Sequence, residues 1–334
     1  MPALEVELDS MASETSFSGV VRVDRADRIE IVKAYGLAHR DCGIPNAIDT
    51  RFAIASGAKG FTALTIVSLV ESGHLELDTT ARSLLGEDLP LVDDEVTVEH
   101  LLAHRSGIGD YLDEEADVDL TEYLLSVPVH ALVSTEDYLA VLDGHPPKFS
   151  PGERFAYCNS GYVMLALIAE RASGVPFHEL ALQRVCEPAG MWDTEFLRSD
   201  ELPDRTAVGY LAADSPRTNV FHLPVRGSGD GGIYSTVADI RGLWTAFFAG
   251  RIVSTDWVLE TVRARSDVPA QSKRYGLGLW LHESTDAVIL EGHDAGVSFS
   301  STHDPGSDFT STVVSNTTAG AWPVTRFLKE RLGT

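Results

Sequence analysis

The order of predicted elements, strands first, then helices, then strands and a closing helix, predicts an α+β fold rather than alternating βαβ units. Three observations carry this. Residues 17–23 and 29–38 alternate on either side of the polar run Asp24-Arg25-Ala26-Asp27-Arg28 and predict a hairpin. Residues 275–282, 287–291, 297–303 and 309–315 are short β-branched or alternating runs separated by Gly and Asp, which predict consecutive antiparallel strands. Between these ends the apolar residues recur at helical spacing. The simplest assembly joins the two ends into one antiparallel sheet flanked by helices, with an inserted, mostly helical lobe. It gives a single bilobed unit of 1–334, with 1–80 and 225–334 in the sheet lobe and 81–224 in the helical lobe.

Taken in order, residues 51–55 predict a strand that feeds a helix running from Ser56 to about Ser72. Phe61, Leu64, Ile66, Val67, Leu69 and Val70 cover most of that helix's circumference, so it is expected to be buried, with Gly73 closing it. Further helices are expected at 79–85, 96–104, 120–127, 135–142, 162–172 and 177–186. Thr97 and His100 make a poor capping box, whereas Thr236 and Asp239 open an apolar helix through Phe248 with a good one. Residues 257–263 look helical, and 321–332 form the closing helix. No internal repeat or low-complexity stretch is evident.

Composition narrows the function. The 334 residues carry 50 acidic against 26 basic side chains, a net charge of -24, so a polyanionic partner is repelled and nucleic acid is excluded. Cys42, Cys158 and Cys186 lie far apart, without a Cys-x-x-Cys pair, and are expected to be free thiols. No basic leader precedes an apolar run at the N-terminus, and no stretch approaches the roughly 18 apolar residues of a membrane span. The expectation is a cytoplasmic protein without membrane partners.

The chemistry-bearing residues are few. Ser56 and Lys59 stand one helical turn apart at the tip of the buried helix, where the backbone N–H groups and the macrodipole favour a developing alkoxide. A buried lysine made less stable as an ammonium can serve as a general base for such a serine. Tyr157 and Asn159 follow a Pro-Gly turn and precede a helix, which reads as an exposed loop carrying a phenol and an amide. Gly292-His293-Asp294-Ala295-Gly296 lies between two expected strands, with Gly296 permitting close backbone approach. Two patterns are set aside. His100 and His104 have the i, i+4 spacing of a zinc helix, but the Glu of His-Glu-x-x-His is missing. No Gly-x-Ser-x-Gly elbow is present.

With Ser56-x-x-Lys59, Tyr157-x-Asn159 and the His293 station in this order, the chain resembles the serine β-lactamase and penicillin-binding-protein superfamily. It is most similar to the class C branch with its esterases and D-amino-acid peptidases, and the likeness extends over nearly the whole chain. The resemblance implies a β-lactamase/transpeptidase-like fold and an acyl-enzyme mechanism without cofactor or metal. Ser56 would attack a carbonyl, Lys59 and Tyr157 would manage its proton, and Asn159 would orient Lys59 or the substrate. The N–H groups of Ser56 and Gly296 would form the oxyanion hole, and His293 would stand where other members have Lys. Ala295 occupies the station's third place, normally Gly, and its methyl is expected to crowd a substrate. The expected substrates are therefore small esters, amides or short peptides. β-Lactam hydrolysis or D-amino-acid peptidase activity is the alternative within the class, and a non-catalytic binding protein is the alternative outside it.

Overall fold

The computed structural model describes residues 2–116 and 119–333. Its centre is an eight-stranded antiparallel sheet in the order Arg28–Tyr35, Gly19–Arg25, Phe309–Ser315, Val297–Asp304, Val288–Asp294, Trp280–His282, Lys273–Tyr275, Ser266–Val268. The first hairpin is thus stitched to the last strand, Gly19 opposite Ser315 and Arg25 opposite Phe309, as the α+β reading requires. Both sheet faces are covered. Val20, Leu290, Phe299 and Val314 join the core formed with the helices Ala58–Glu71 and Val237–Phe248. Val21, Val23 and Val313 face the other way, against Leu8, Val324 and Phe327 of the terminal helices Pro2–Glu14 and Ala321–Leu332. This double cover explains why Gly19–Arg25 is buried almost continuously instead of alternating.

The helix Ala58–Glu71 is buried from Ala58 through Leu69 and ends at Ser72, with Gly73 following at φ +74°. Gly60 is what lets it lie close on the sheet, because a Cβ there would stand 2.6 Å from Leu290. On its other side it packs against Asn159–Ser173, itself buried from Asn159 through Ala169.

Three expectations are corrected. The strand at 51–55 shrinks to Phe52–Ala53, which pairs only with Tyr234–Ser235 and stays out of the main sheet, because the chain turns at Ala55 into the helix Ala58–Glu71. Residues 120–127 form turns, not a helix: Leu124 is 70% exposed, while the residues that reach the core, Leu125 and Val127, are two apart and do not share a helical face. The expected strand at 275–282 is two strands, broken at 276–279 where Gly278 sits against Ala63 and Gly276 against the Thr261 carbonyl. The helix Pro2–Glu14 was not expected at all.

Thr97 and His100 do form a full capping box: Thr97 Oγ1 accepts the His100 N–H at 3.2 Å and His100 Nδ1 accepts the Thr97 N–H at 3.3 Å. Thr236 caps Asp239 N–H at 3.1 Å, but the Asp239 carboxylate turns to Asp193 and Thr194. All three cysteines are free, Cys158 and Cys186 buried and Cys42 exposed. Among the described residues no helix is long and apolar enough to cross a membrane.

Candidate active site

Three parts of the chain converge on Ser56. The first is its own turn. Ala55–Gly57 is a 3₁₀ turn with Ala55 at φ +45°, a conformation that costs about 1–3 kcal/mol for a residue with a Cβ and is held by surrounding structure. It sets Ser56 at the tip of the buried helix, where the Ser56 N–H has no earlier carbonyl of that helix to bond.

The second part is Lys59, which is 2% exposed. Its Nζ donates to Ser56 Oγ at 2.9 Å, Asn159 Oδ1 at 2.8 Å and the Asp230 carbonyl at 2.9 Å, using all three donor positions of an ammonium. Asn159 is not on an exposed loop, as the sequence suggested. It is the buried first residue of Asn159–Ser173, and its N–H and that of Ser160 are capped from a distance by Asp110, at 2.8 and 2.9 Å. Burial pushes the Asp110 carboxyl upward, and these N–H bonds draw it back down. The Asn159 Nδ2 donates to the Leu112 carbonyl at 2.9 Å, which fixes the amide so that its oxygen faces Lys59.

Tyr157 is half-buried, with its hydroxyl in hydrogen-bonding reach of Ser56 and Lys59 Nζ 4.9 Å from its ring centroid. Burial raises its phenol well above the usual range, so it is held neutral and suited to relay a proton, not to act as a tyrosinate. His104 packs at 4.3 Å beneath it and Trp280 stacks beside it at 6.0 Å. His104 is itself enclosed by Tyr162 and Tyr275, takes the Cys158 N–H at Nδ1, and is kept well below the ordinary histidine range by burial and then by Lys59. It is a support for Tyr157.

The third part is the strand Val288–Asp294. Its two-residue hairpin pairs Asp294 with Val297, so residues 294, 292 and 290 bond the partner strand while the N–H and C=O groups of His293 and Glu291 point to the opposite edge. On that edge Trp280–His282 pairs only with Val288 and Ile289. The edge at 291–293 is therefore left facing the cleft. Gly292 lies directly against the Ala55–Gly57 turn, where a Cβ would stand 2.0 Å from the Ile54 carbonyl and 3.0 Å from the Gly57 nitrogen.

This register corrects two expectations. Gly296 lies in the hairpin turn and gives its N–H to Thr318 Oγ1 at 2.9 Å, so it is not aimed at Ser56; the strand N–H facing the cleft is that of His293. Ala295 is also in the turn, its carbonyl bonded by Asn219 at 2.9 Å, and its methyl does not lie along the strand edge. The glycine that close approach demands is Gly292. The His293 ring meets Trp322 edge-on at 5.8 Å, and burial lowers it from the ordinary histidine value, so it supplies no constant positive charge.

Ser56, Tyr157, Gly292, His293, Trp280 and Glu114 line one open cleft of about 740 Å³. Sequence reasoning missed Asp110 and Asp230; it set His104 aside as a zinc ligand, and the structure places that ring beneath Tyr157. For Asp230 a signal existed: in Gly227-Ser228-Gly229-Asp230-Gly231-Gly232 the glycines let backbone close on the helix Asn159–Ser173, and a Cβ at Gly229 would stand 2.1 Å from the Tyr162 carbonyl.

An eight-stranded antiparallel sheet with Ser-x-x-Lys at the tip of a buried helix and Tyr-x-Asn beside it defines the transpeptidase-like class of folds. The family model described as Beta-lactamase matches residues 6–328, and the chain belongs to that family. It is similar to esterase EstB of Burkholderia gladioli, at 32% identity over 62% of this chain and 54% of the esterase. It is also similar to D-aminopeptidase of Brucella anthropi, at 27% over 82% of this chain and 51% of that enzyme. The chain thus spans about half the length of these curated relatives. Among solved structures, a penicillin binding protein from Bacillus halodurans superimposes with a TM-score of 0.91 at 34% identity, covering 97% of this chain and 99% of that one.

Proposed function

We propose that this chain is a serine hydrolase that forms an acyl-enzyme at Ser56 and acts on small neutral or cationic esters and amides. The observation that carries the reading is the placement of Lys59 Nζ between Ser56 Oγ, Asn159 Oδ1 and the Asp230 carbonyl. In this mechanism the substrate carbonyl accepts from the N–H groups of Ser56 and His293, donors fixed before the negative charge develops. Ser56 attacks as its proton passes to the Tyr157 oxygen and the Tyr157 hydroxyl gives its own to the leaving group, while Lys59, donating to Ser56 Oγ, stabilises the developing alkoxide. Water then releases the acyl group by the reverse relay.

Charge in the cleft favours this over hydrolysis of β-lactams, which carry a carboxylate. The lining includes Glu114, Glu115, Asp119 and Glu291, and among the described residues it contains no Lys or Arg. Relatives with esterase and aminopeptidase names agree with an ester or amide substrate. A non-catalytic binding protein would have no use for a lysine aimed at a serine.

Incubation with a fluorescent fluorophosphonate followed by intact mass tests the assignment. One adduct is expected on the wild type and none on Ser56→Ala; Lys59→Ala should label about a hundredfold or more slowly while melting as a folded protein. Equal labelling of Ser56→Ala would refute the nucleophile.

A further inference from the structure

Residues 110–112 reach both of the groups that hold Lys59 besides Ser56. Asp110 caps the N–H groups of Asn159 and Ser160, and the Leu112 carbonyl accepts from Asn159 Nδ2, so these two fix the amide oxygen that Lys59 donates to. Tyr111, between them, turns to the other acceptor. Its hydroxyl donates to the Asp230 carboxylate, while the Asp230 carbonyl takes Lys59 Nζ at 2.9 Å. Tyr111 is itself held at both backbone groups, its N–H by Ser160 Oγ at 3.0 Å and its carbonyl by the Tyr123 hydroxyl. The Tyr111 and Asp230 pair lies on the wall of a second cavity, of about 50 Å³, that shares no lining residue with the open cleft. Tyr111 does not touch the reacting atoms.

The loop that carries Asp230 has few side chains to fix it. Gly227, Gly229, Gly231 and Gly232 leave only Ser228 and Asp230 with hydrogen-bonding side chains, and the Ser228 Oγ has no partner among the described residues. Before Asp230, the Gly227 carbonyl accepts from His178 Nε2 at 2.7 Å and the Gly229 carbonyl from Thr62 Oγ1 at 2.6 Å. After it, Gly231 and Gly232 offer no side chain, and a glycine backbone has more freedom to lose on being ordered than any other. The Asp230 side chain therefore anchors the loop at the residue whose carbonyl meets Lys59. Burial pushes the Asp230 carboxyl upward, and Lys59 and then the Tyr111 hydroxyl draw it back down. Burial and then Asp230 hold the Tyr111 phenol well above its usual range, so it stays a donor. Without that donor the buried carboxylate would lose its side-chain partner, a cost that a shift of the loop would relieve.

We propose that Tyr111 is a positioning residue for Lys59, acting through Asp230: its hydroxyl pins the Asp230 side chain, that residue's carbonyl accepts from Lys59 Nζ, and the ammonium stays aimed at Ser56 Oγ. The inference rests on the hydrolase reading. It accounts for an acid at 230, since the carbonyl alone places no demand on the side chain. Residues 110–112 then act together, two on Asn159 and one on Asp230, and Lys59 is directed from both sides. A donor fixed in this way stabilises a developing alkoxide more than a mobile one, because nothing has to reorganise as the charge forms.

The test follows acylation by p-nitrophenyl acetate in stopped flow, read as a maximal rate and a half-saturating concentration. Tyr111→Phe, which keeps the ring and removes the hydroxyl, should lower the maximal rate at least about fivefold and change the half-saturating concentration by less than about twofold. Asp230→Ala, which keeps the carbonyl, should lose a similar amount, and Asp230→Asn, which still accepts from Tyr111, should be about threefold faster than Asp230→Ala. Because the two residues act in series, the double variant Tyr111→Phe/Asp230→Ala should match the slower single variant within about twofold. A merely structural role would lower the melting temperature and leave the maximal rate of the folded protein unchanged. Should Tyr111→Phe prove unfolded by circular dichroism, the two Asp230 variants decide, and Asp230→Asn as slow as Asp230→Ala overturns the role. A smaller loss in Tyr111→Phe, or losses that multiply in the double variant, would overturn it while fluorophosphonate labelling of the wild type still upheld Ser56. No adduct on the wild type would overturn the hydrolase reading and this role with it.

Discussion

At Gly292 a single methyl group tests the geometry of the site. Its Cβ would stand 2.0 Å from the Ile54 carbonyl, so Gly292→Ala must push the nucleophile turn away from the strand. Displacement of a reacting group by about 1 Å costs on the order of a hundredfold, and kcat/KM for p-nitrophenyl acetate should fall by at least about that much. Ala295→Gly, in the turn, should change it by less than about threefold. The opposite result would return the third station to residues 293–295. Sequence alone misplaced that station because Gly292 and Gly296 both flank the histidine, and only strand register tells which one meets Ser56. The grouping of Ser56, Lys59, Tyr157 and Asn159 was legible because helix spacing and side-chain chemistry mark them, whereas Asp230 meets Lys59 through a backbone carbonyl that any residue could provide. Asp294 adds a pH signature. Its folded value of about 7 lies above the ordinary 3.8, so its contribution to stability is complete below about pH 3.8 and is lost as pH rises through 7. Asp294→Asn removes that dependence. The melting temperature of the variant relative to wild type should rise between about pH 4 and pH 8 and level off above, by several degrees. A difference that stays flat with pH would show that Asp294 is not held protonated by the fold.

On the proposed hydrolase reading, the helix Asn159–Ser173 links stability to catalysis through its first residue. Asp110 accepts the N–H groups of Asn159 and Ser160 with both carboxylate oxygens, so Asp110→Ala leaves two buried donors without partners, at a cost of about 2–4 kcal/mol. The same loss frees Asn159 and, through it, Lys59. Thermal melts and steady-state rates should fall together, with Asp110→Asn, which keeps one acceptor oxygen, intermediate in both. A stability loss with unchanged kcat would show that Asn159 is positioned by Leu112 and Glu114 without Asp110. Elements with a packed partner were the ones the sequence disclosed. The hairpin, Phe309–Ser315 and Ala321–Leu332 all carry a periodic apolar face that meets another face. Residues 120–127 have helix formers, but the side chains that reach the core, Leu125 and Val127, are two apart and make no helical face. Pro2–Glu14 was hidden for the converse reason: Leu4-Glu5-Val6-Glu7-Leu8 alternates with the period of a strand, and only docking of Leu8 and Ala12 beside the closing helix makes the segment helical.

Across the whole molecule, charge acts where individual contacts do not. A net charge of -24 surrounds a cleft whose rim bears Glu114, Glu115 and Asp119. Low-dielectric walls concentrate such a field at the cleft mouth, raising the local concentration of cations and lowering that of anions. Screening weakens the effect, since the Debye length shrinks from about 30 Å at 0.01 M salt to about 3 Å at 1 M. For a cationic ester such as butyrylthiocholine, kcat/KM should fall several-fold as salt rises from about 0.02 to about 0.5 M. For an anionic ester such as a succinate half-ester it should rise, and for neutral p-nitrophenyl acetate it should hardly move. Because screening acts on approach and not on the Ser56 chemistry, the change should reside in KM while kcat stays constant. Salt responses that do not sort by substrate charge would mean that solvent already neutralises the rim. The choice among substrates would then fall to the short-range groups lining the two cavities.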